Sequence, residues 1–259
     1  MEAYLAAVWR CRYFCWSLVR MDLQARYRRS LLGIGWSLLH PVATIAVLCA
    51  VFHRIFHVEI REYIPFLMAG LAWWGYTVGV TIQGCQCFIK AEPYIRQHTI
   101  PMAVYPLRST LGAMIDFSIV LFMVFLLSCF FKGVDNPLAL ASLAFALVIL
   151  FVFGWSVAVL AGYVNVVFRD IQHVCEIGFQ ILFYLTPVIY PPGLLAGTGM
   201  AWVLRYNPLA HFLNLIRGPL EGHIPTTASL GVAATVTLVL AVAAVSLLGH
   251  LQRRVILYL

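Results

Sequence analysis

The feature that most constrains this chain is a series of long apolar runs without charged residues. Between Arg29 and Arg54 there are 24 consecutive positions with no charged side chain. About 20 apolar residues, rising roughly 1.5 Å each, cross a hydrocarbon core about 30 Å thick. The arginines that precede this run, Arg26, Arg28 and Arg29, favour a cytoplasmic location for that end. The stretch 22–56 therefore predicts a basic, membrane-lying segment that continues into a spanning helix.

The composition places the whole chain in a lipid environment. Of its 259 residues, 63% are hydrophobic and 10% are charged, and the mean hydropathy is +0.91. Soluble domains carry about 25% charged residues, so this chain lacks the polar surface that water requires. In a bilayer every backbone polar group must find a partner within the protein, which leaves helices or a closed barrel. Long uninterrupted runs favour helices, and we predict an all-α integral membrane protein.

The apolar runs predict a single membrane domain, 1–259, with six transmembrane helices. Residues 1–30 are expected to form an amphipathic interface helix, because aromatic side chains recur at helical spacing beside clustered arginines. Three prolines in the polar stretch 90–106 permit only short helices and turns. Proline and glycine also interrupt 191–222, where we predict short helices that re-enter the membrane from the extracytoplasmic side. The six predicted spans are 33–56, 63–84, 107–131, 138–163, 173–190 and 226–250.

The distribution of lysine and arginine predicts that both termini are cytoplasmic. With six spans, 12 of the 17 Lys and Arg residues fall in the proposed cytoplasmic segments and 5 fall on the opposite side. Such an excess is typical of cytoplasmic loops in membrane proteins. The net charge of +7 lies between apolar runs and not on one face, so it indicates topology and not nucleic-acid binding.

The sequence encodes no recognisable catalytic or cofactor site. Its two lysines, Lys90 and Lys132, follow no glycine-rich run, so a phosphate-binding loop for ATP is not present. Energy from ATP would therefore have to come from a separate chain. The pairs of histidines and cysteines lack the further ligands that zinc needs. We expect no metal and no cofactor on this chain, and no enzymatic activity.

Asp116 is an acidic residue deep within a predicted span. Intramembrane charges are costly and by default suggest a function. A single acid without a second titratable group at similar depth makes a poor proton relay. We therefore interpret Asp116 as a structural lock that bonds a neighbouring helix.

Several motifs, in order along nearly the whole chain, resemble one family. They are a basic segment with a glycine break and a following proline, a Pro-Phe-Leu-Met-Ala-Gly-Leu start to the second span, and an Asn-Val-Val-Phe-Arg-Asp end to the fourth. The residues that carry the resemblance are 20–36 with Pro41, 65–71, 165–170, 185–191 and 206–209. With this pattern the chain resembles the membrane subunits of ABC-2 type ABC transporters that export bacterial polysaccharides such as O-antigen, capsule and teichoic acid.

The resemblance implies a transport subunit in a bacterial cytoplasmic (inner) membrane. Two copies would form a homodimer with a continuous channel for a lipid-linked, O-antigen-like polysaccharide. Two copies of a separate ABC ATPase subunit would bind ATP and Mg²⁺ and drive export. The cytoplasmic coupling region would be 90–106, the re-entrant gate would be 191–222, and the first and fifth spans would line the channel. Membrane lipids complete the expected partners, and no nucleic acid is expected.

Three sets of candidate residues follow. Aromatic side chains that could stack on sugar rings in the channel are Trp36, Phe52, Phe56, Trp73, Phe179, Phe183, Tyr184 and Tyr190. Candidates for ATPase coupling are Glu92, Pro93, Tyr94, Ile95, Arg96, Arg26, Arg28 and Arg29. Candidates for structural roles are Pro41, Asp116, Arg169, Asp170 and Pro187. No catalytic or metal-binding residue is predicted.

Two other functions fit parts of the same sequence. An ABC-2 exporter of small amphiphiles or drugs would share the six spans. A membrane-embedded acyltransferase or glycosyltransferase would need an acid–histidine pair at the membrane surface, and Asp170, His173 and Glu176 are the nearest candidates. We interpret that cluster instead as the solvated start of a helix.

Overall fold

The computed structural model describes residues 2–27, 33, 35–97, 100–132, 136–193 and 206–251. Within these ranges all regular structure is helical, in ten helices. The helices are α1 (Glu2–Arg10), α2 (Arg12–Tyr27), α3 (Gly35–Phe56), α4 (Ile60–Cys85), α5 (Glu92–Gln97), α6 (Val104–Lys132), α7 (Pro137–Val167), α8 (Ile171–Leu185), α9 (Pro208–Leu220) and α10 (Thr227–Leu251). The prediction of an all-helical protein is confirmed for the described part of the chain.

Three of these helices are long and apolar enough to cross a membrane: Val104–Phe131 in α6, Pro137–Val167 in α7 and Thr227–Gly249 in α10. Two shorter apolar helices, Pro41–Phe56 and Ile171–Leu185, lie where the first and fifth spans were predicted. The fold is therefore that of a multi-pass membrane protein, while the count of six crossings stays a prediction.

Helix α4 lies at the centre of the bundle and makes extensive contacts with α6 and α7. Tyr63, Leu67 and Trp73 on α4 are almost completely buried. The Tyr76 hydroxyl of α4 donates to the carbonyl of Leu150 on α7 at 2.8 Å. Because α4 is enclosed by protein and not by lipid, it can carry more polar residues than the three strongly apolar helices.

Small residues bring α4 and α7 into unusually close contact. A Cβ atom added to Gly84 would lie 2.6 Å from the Cα of Ala158, and one added to Gly162 would lie 2.8 Å from the carbonyl oxygen of Gly84. Close backbone approach at small residues is a common way for helices to pack in membranes, where the hydrophobic effect does not drive them together. The Asn165 side chain then donates to the carbonyl of Cys85 at 2.8 Å and fixes the register of the two helices at this end.

Two Asn-Pro pairs in the sequence begin two helices. The Asn136 side chain accepts from the backbone N–H of Leu138 at 3.1 Å at the start of α7. The Asn207 side chain accepts from the N–H of Leu209 at 2.9 Å at the start of α9. In each case the proline follows at the first helical position, where its missing N–H costs nothing. Local sequence therefore defines these two helix starts.

The interface segment forms two helices and not one, because the helix is interrupted at Cys11 between α1 and α2. Cys15, Leu18 and Val19 face inward and are buried. On the opposite side the large aromatic residues Trp9, Tyr13 and Trp16 are exposed. These three belong to the predicted amphipathic stripe, whereas the side chains of Leu5 and Tyr27 lie outside the described residues.

Candidate functional site

Helices α3 and α8 each contact α4 with one face and leave the other face without a neighbour in the described chain. In α8 no residue is buried. The uncovered positions are apolar: Val47, Val51 and Ile55 on α3, and Ile177 and Ile181 on α8. These are the two helices that the family resemblance predicts to line the channel.

An aromatic cluster joins α8 to α4. The Trp74 ring lies 5.8 Å from Phe179 and 5.4 Å from Phe183, measured between ring centroids. The neighbouring Tyr184 ring is 69% exposed, and its backbone carbonyl accepts a hydrogen bond from the Tyr190 hydroxyl at 3.1 Å. Phe179, Phe183, Tyr184 and Tyr190 therefore lie along one helix and the turn that follows it.

The other aromatic candidates occupy different environments. Phe52 and Phe56 stack on each other on α3 with ring centroids 5.4 Å apart. Trp73 is completely buried in the core, with 0% of its surface exposed. In this conformation Trp73 packs against other helices and lines no open surface. Only the backbone of Trp36 is described, so the position of its side chain lies outside the described structure.

A buried arginine fastens the end of the bundle where α8, α9 and the start of α4 meet. The Arg217 side chain of α9 is 4% exposed. It donates from Nε to the carbonyl of Phe66 at 3.2 Å, from Nη1 to Pro187 at 2.6 Å and from Nη2 to Val188 at 2.5 Å. Its guanidinium also lies 3.6 Å from the centroid of the Phe66 ring. The Arg217 side chain thus bonds α9 to the start of α4 and to the turn after α8.

The charge of Arg217 persists despite its burial. Loss of hydration lowers the pKa of Arg217 to about 9, and the nearby Glu221 opposes that shift. The group is therefore still protonated at neutral pH. Gly70 makes room for it, because a Cβ atom there would overlap the guanidinium and the carbonyl of Val188. Pro187, a predicted structural residue, is buried, and its carbonyl accepts one of these hydrogen bonds. We call Arg217 with its three carbonyl acceptors, on Phe66, Pro187 and Val188, the arginine staple.

In the described part of the segment 90–106, α5 is a six-residue helix, and α6 begins at Val104. Ile95 is buried and anchors α5 in a hydrophobic cluster, and the Tyr94 ring makes an edge contact with Phe14 of α2. Glu92 and Arg96 form an ion pair at 2.8 Å. Pro93 and Arg96 are exposed. Helix α5 is therefore packed against the bundle on one side and exposed on the other. The coupling candidates Arg28 and Arg29 lie outside the described residues.

Two ion pairs of opposite polarity connect α2 to α6. Arg108 on α6 holds both carboxylate oxygens of Asp22 on α2. Arg26 on α2 pairs with Asp116 on α6. Asp116, the acid within the third predicted span, therefore bonds Arg26 of the interface segment. Arg26 is also a coupling candidate, and in this structure its partner lies within the same chain.

The polar cluster at the start of α8 is open to solvent. His173 and Glu176 lie 3.2 Å apart, and their side chains are 74% and 44% exposed. Gln172 donates to Glu176 at 2.9 Å and accepts at 2.5 Å from Gln86, the residue that follows α4. Arg169 and Asp170 are exposed in the preceding turn, and the Asp170 side chain makes no capping bond to α8. The cluster connects α8 to the end of α4 and its side chains lie in the open, at the surface of the described structure.

Comparison with known families decides the class of protein. The family model for the ABC-2 type transporter matches residues 13–220. This chain belongs to the ABC-2 type transporter family. The match extends from α2 through α9 and so includes the ion pairs, the aromatic cluster, α5 and the arginine staple.

Relatives with similar sequences carry a more specific description. An O-antigen export system permease protein RfbA of Klebsiella pneumoniae is 28% identical over 202 residues, which cover 76% of this chain and 75% of that protein. The protein of the same name from Myxococcus xanthus is 25% identical over 236 residues, covering 89% of each chain. A second such protein of K. pneumoniae is 25% identical over 199 residues.

Membership of the ABC-2 family identifies the chain as a membrane-spanning transport subunit and not an enzyme. The family also implies an ABC transporter in which an ATPase is the partner of this chain. The acyltransferase or glycosyltransferase alternative gains no support from the exposed His173–Glu176 pair.

Sequence reasoning missed several residues that organise the site. Trp74, and not Trp73, contacts the aromatic residues of α8. Arg108 and Asp22 form a bidentate pair although they are 86 positions apart. Arg217 was counted as an ordinary charge of the far side, yet it is buried. For Trp74 the sequence shows two adjacent tryptophans, of which only one can face α8, but it does not show which one. For the two arginines no local signal exists.

Proposed function

We propose that this chain is the permease subunit of an ABC transporter that exports a lipid-linked, O-antigen-like polysaccharide across the cytoplasmic (inner) membrane. The observation that carries the proposal is its alignment, over most of their length, with relatives described as O-antigen export permeases. In this proposal two copies form a homodimer around a continuous channel, and two copies of the ATPase subunit bind ATP and Mg²⁺.

The uncovered faces of α3 and α8 support a channel between copies. Each helix packs on α4 along one side, and its other side is apolar and exposed in a single chain. Aromatic residues on and beside these faces, among them Phe52, Phe183 and Tyr184, offer flat rings to sugar C–H groups. Stacking of this kind is weak per ring and tolerates sliding, which a long polymer requires.

Six crossings per copy are part of the proposal. Helices α3, α4, α6, α7 and α10 correspond to five of the predicted spans. Helix α8 has 15 residues, so the fifth crossing needs the turn after it, as in the predicted span 173–190. At about 1.5 Å per residue, the 26 residues of α4 are long enough to span a bilayer, and its central position explains its more polar composition. This arrangement places both termini, α5 and the α2–α6 ion pairs on the cytoplasmic side.

The far-side gate belongs to the same proposal. Helix α9 has 13 residues, too few to span a bilayer, and it is bounded by the Pro187 turn and Gly222. With six crossings this segment enters the membrane from the outside and returns. The Arg217 staple then holds the segment against α4.

Helix α5 supports coupling to the ATPase. Its anchored side transmits force to α2 and α6 through Tyr94 and Ile95. Its exposed residues Pro93 and Arg96 provide a contact surface. A short helix fixed to the bundle but exposed at one side suits a rigid connection between subunits.

Deletion of the gene tests the function directly. The deletion strain should lose polysaccharide from its surface and accumulate the lipid-linked polymer inside, as measured with an antibody to the glycan before and after permeabilisation. Expression of the wild-type chain should restore surface display. Unchanged surface polysaccharide in the deletion strain would refute the proposal, and altered sensitivity to amphiphilic drugs instead would favour the small-molecule exporter.

A further inference from the structure

A polar pocket of about 250 Å³ lies at the end of the bundle that contains the arginine staple. Its walls come from Phe66 of α4, Pro192 of the turn after α8, the last turns of α9, and the turn 221–226 that leads into α10. We call it the α9–α10 pocket. With six crossings, it lies at the extracytoplasmic surface of the membrane.

The inner wall of the α9–α10 pocket is a buried cation stacked on an aromatic ring. Arg217 is 4% exposed, and its guanidinium lies 3.6 Å from the centroid of the Phe66 ring. The three hydrogen bonds of the arginine staple hold the Arg217 side chain in place. This wall therefore has one defined geometry.

The turn from α9 to α10 fixes the opposite wall. The backbone N–H of His223 donates to the carbonyl of Gly218 at 2.8 Å, and Gly222 has a φ of 83°, which glycine adopts without strain. Beyond the turn, the Thr226 hydroxyl donates to Oγ of Ser229 at 3.0 Å and accepts from the N–H of Ser229 at 3.2 Å. This bonded backbone keeps the polar side chains of the turn close to α9.

Three polar side chains that line the α9–α10 pocket are unused in the described part of the chain: Asn214, Glu221 and His223. None of the three makes a side-chain hydrogen bond or an ion pair with another described residue. Asn214 and His223 are exposed, and Glu221 is half-buried. They offer an amide that donates and accepts, a carboxylate that accepts, and an imidazole that can do either. The pocket therefore brings free donors and free acceptors together.

The charges of the α9–α10 pocket favour a neutral ligand. Arg217 repels a simple cation, and Glu221, one helical turn further along the chain, repels a simple anion. A neutral molecule with several hydroxyl groups can bond to donors and acceptors at once. Phe66, Pro192 and Ile224 add apolar surface to the same pocket. A ring that carries hydroxyl groups on its edge and C–H groups on its faces fits this combination.

We infer that the α9–α10 pocket binds one sugar unit of the polysaccharide as the polymer leaves the membrane. Asn214, Glu221 and His223 bond its hydroxyl groups, and the apolar wall packs against its C–H face. That the sugar belongs to the exported polymer rests on the proposed function, whereas the neutral, hydroxyl-rich character of the ligand rests on the pocket itself. A bound sugar must dissociate before the chain can slide back, so the site opposes return of the polymer.

Binding of free oligosaccharides to the complete transporter tests this inference. The permease and its ATPase, in lipid nanodiscs without nucleotide, are titrated with oligosaccharides cut from the surface polysaccharide of the host strain. Saturation-transfer NMR gives the dissociation constant. Asn214→Ala and Glu221→Gln should each raise it at least about fivefold, because each removes hydrogen bonds to sugar hydroxyl groups.

The stability of Asn214→Ala shows whether a binding defect is local. Asn214 is exposed on α9 and bonds no other described side chain, and alanine favours helix over asparagine. This variant should therefore melt at the temperature of the wild type or slightly above it. Its loss of binding then comes from the pocket and not from unfolding.

A matched acidic residue outside the α9–α10 pocket provides the control for charge. Glu62→Gln removes an exposed acid from the first turn of α4, at the same end of the bundle. It should bind oligosaccharide like the wild type. The inference is overturned if the wild type shows no saturable binding, or if Asn214→Ala and Glu221→Gln both bind as the wild type does. An equal defect in Glu62→Gln would overturn it as well.

Competition tests the chemical class of the ligand. Inorganic phosphate and glycerol, at the same concentration as the oligosaccharide, should displace little of it. Equal displacement by either compound would overturn the assignment to a sugar ring. Export in cells is measured separately: normal export together with unaltered binding by the variants rejects the pocket alone, while surface polysaccharide that persists without the permease rejects the proposed function.

Discussion

At the scale of single residues, Arg217 shows how one buried side chain can hold α9 against two other segments. Its three carbonyl acceptors come from α4 and from the turn after α8. Charge-assisted hydrogen bonds of this kind contribute about 1.5–3 kcal/mol each. The space for the guanidinium exists only because position 70 is glycine. Arg217 and Gly70 therefore act as one structural unit.

Replacement of Gly70 by alanine should destabilise the protein by about 1–3 kcal/mol, because the new methyl group overlaps Arg217 and the carbonyl of Val188. Thermal unfolding in detergent measures the effect. Gly75→Ala is the matched control, since it lies in the same helix with nothing within 4 Å of its Cβ position. That control should be neutral or stabilised, because alanine favours helix over glycine. Equal melting temperatures for the two variants would contradict the claim that Gly70 makes room for Arg217.

The reactivity of the Cys15 thiol tests whether α2 is packed against α6. Burial raises the pKa of the Cys15 thiol to about 11. At pH 8 the thiolate fraction falls to about one in a thousand, from about a tenth at an ordinary pKa near 9. Maleimide should therefore label Cys15 about 100-fold more slowly in the native protein than in the unfolded chain, as followed by mass spectrometry of its peptide.

The half-buried Cys11 provides an internal control for this labelling. It should react in the native protein while Cys15 stays protected. Rapid labelling of Cys15 in the native protein would mean that α2 is not held against α6.

At the scale of helices, opposite charges set the register of α2 on α6. The Asp22–Arg108 pair and the Arg26–Asp116 pair have reversed polarity, so a shift of α2 along α6 would bring like charges together. Arg108 is largely buried, with 17% of its side chain exposed. A largely buried cation without its acid is costly, whereas loss of both partners is tolerated better.

A double-mutant cycle measures this coupling. Asp22→Asn and Arg108→Gln should each lower the free energy of unfolding by about 1–3 kcal/mol, and the double variant should lose less than the sum by about 1 kcal/mol or more. Urea unfolding in detergent, followed by tryptophan fluorescence, gives the values. Strict additivity would show that the two side chains do not interact.

The comparison of sequence with structure is clearest for the helices. Apolar runs located the long helices. The Asn-Pro pairs that begin α7 and α9 are local signals as well, although no helix start was predicted from them. The division of the interface segment at Cys11 was not predicted. Nor was the choice of Trp74 over Trp73 as the partner of α8, since adjacent helix positions point about 100° apart and only tertiary packing decides which one faces which neighbour.

The site was less predictable than the fold for a related reason. Asp22 contacts Arg108 across 86 positions, and Arg217 contacts Phe66 across 151 positions. A charge in a sequence looks the same whether it is exposed or buried. The α9–α10 pocket arises from several segments of the chain together, so no local pattern could indicate it.

At the scale of the whole molecule, the aromatic residues on and beside the uncovered faces of α3 and α8 provide a test of the channel. Alanine replacement of Trp36, Phe52, Phe183 and Tyr184 should give a graded loss of polysaccharide export as successive rings are removed. Export is measured by surface polymer, and the amount of permease in the membrane is measured in parallel. Unchanged export by the fourfold variant would exclude stacking at these positions.

The matched control uses aromatic residues exposed on other helices. Phe122 on α6 and Phe145 on α7 are both exposed, and lipid covers them in the proposed arrangement. Their replacement by alanine should leave export unchanged. Loss of export in this control comparable to that of the α3 and α8 variants would mean that the effect is general and not specific to a channel.

The central claim is that this chain conducts a polysaccharide and that a separate ATPase supplies the energy. The most direct measurement uses vesicles that contain the purified permease, its ATPase and a lipid-linked polysaccharide, with the polymer on each side quantified after addition of ATP and Mg²⁺. We predict that polymer crosses the membrane only when both chains and ATP are present. ATP hydrolysis by the permease alone, or polymer that stays in place with all components present, would contradict the account.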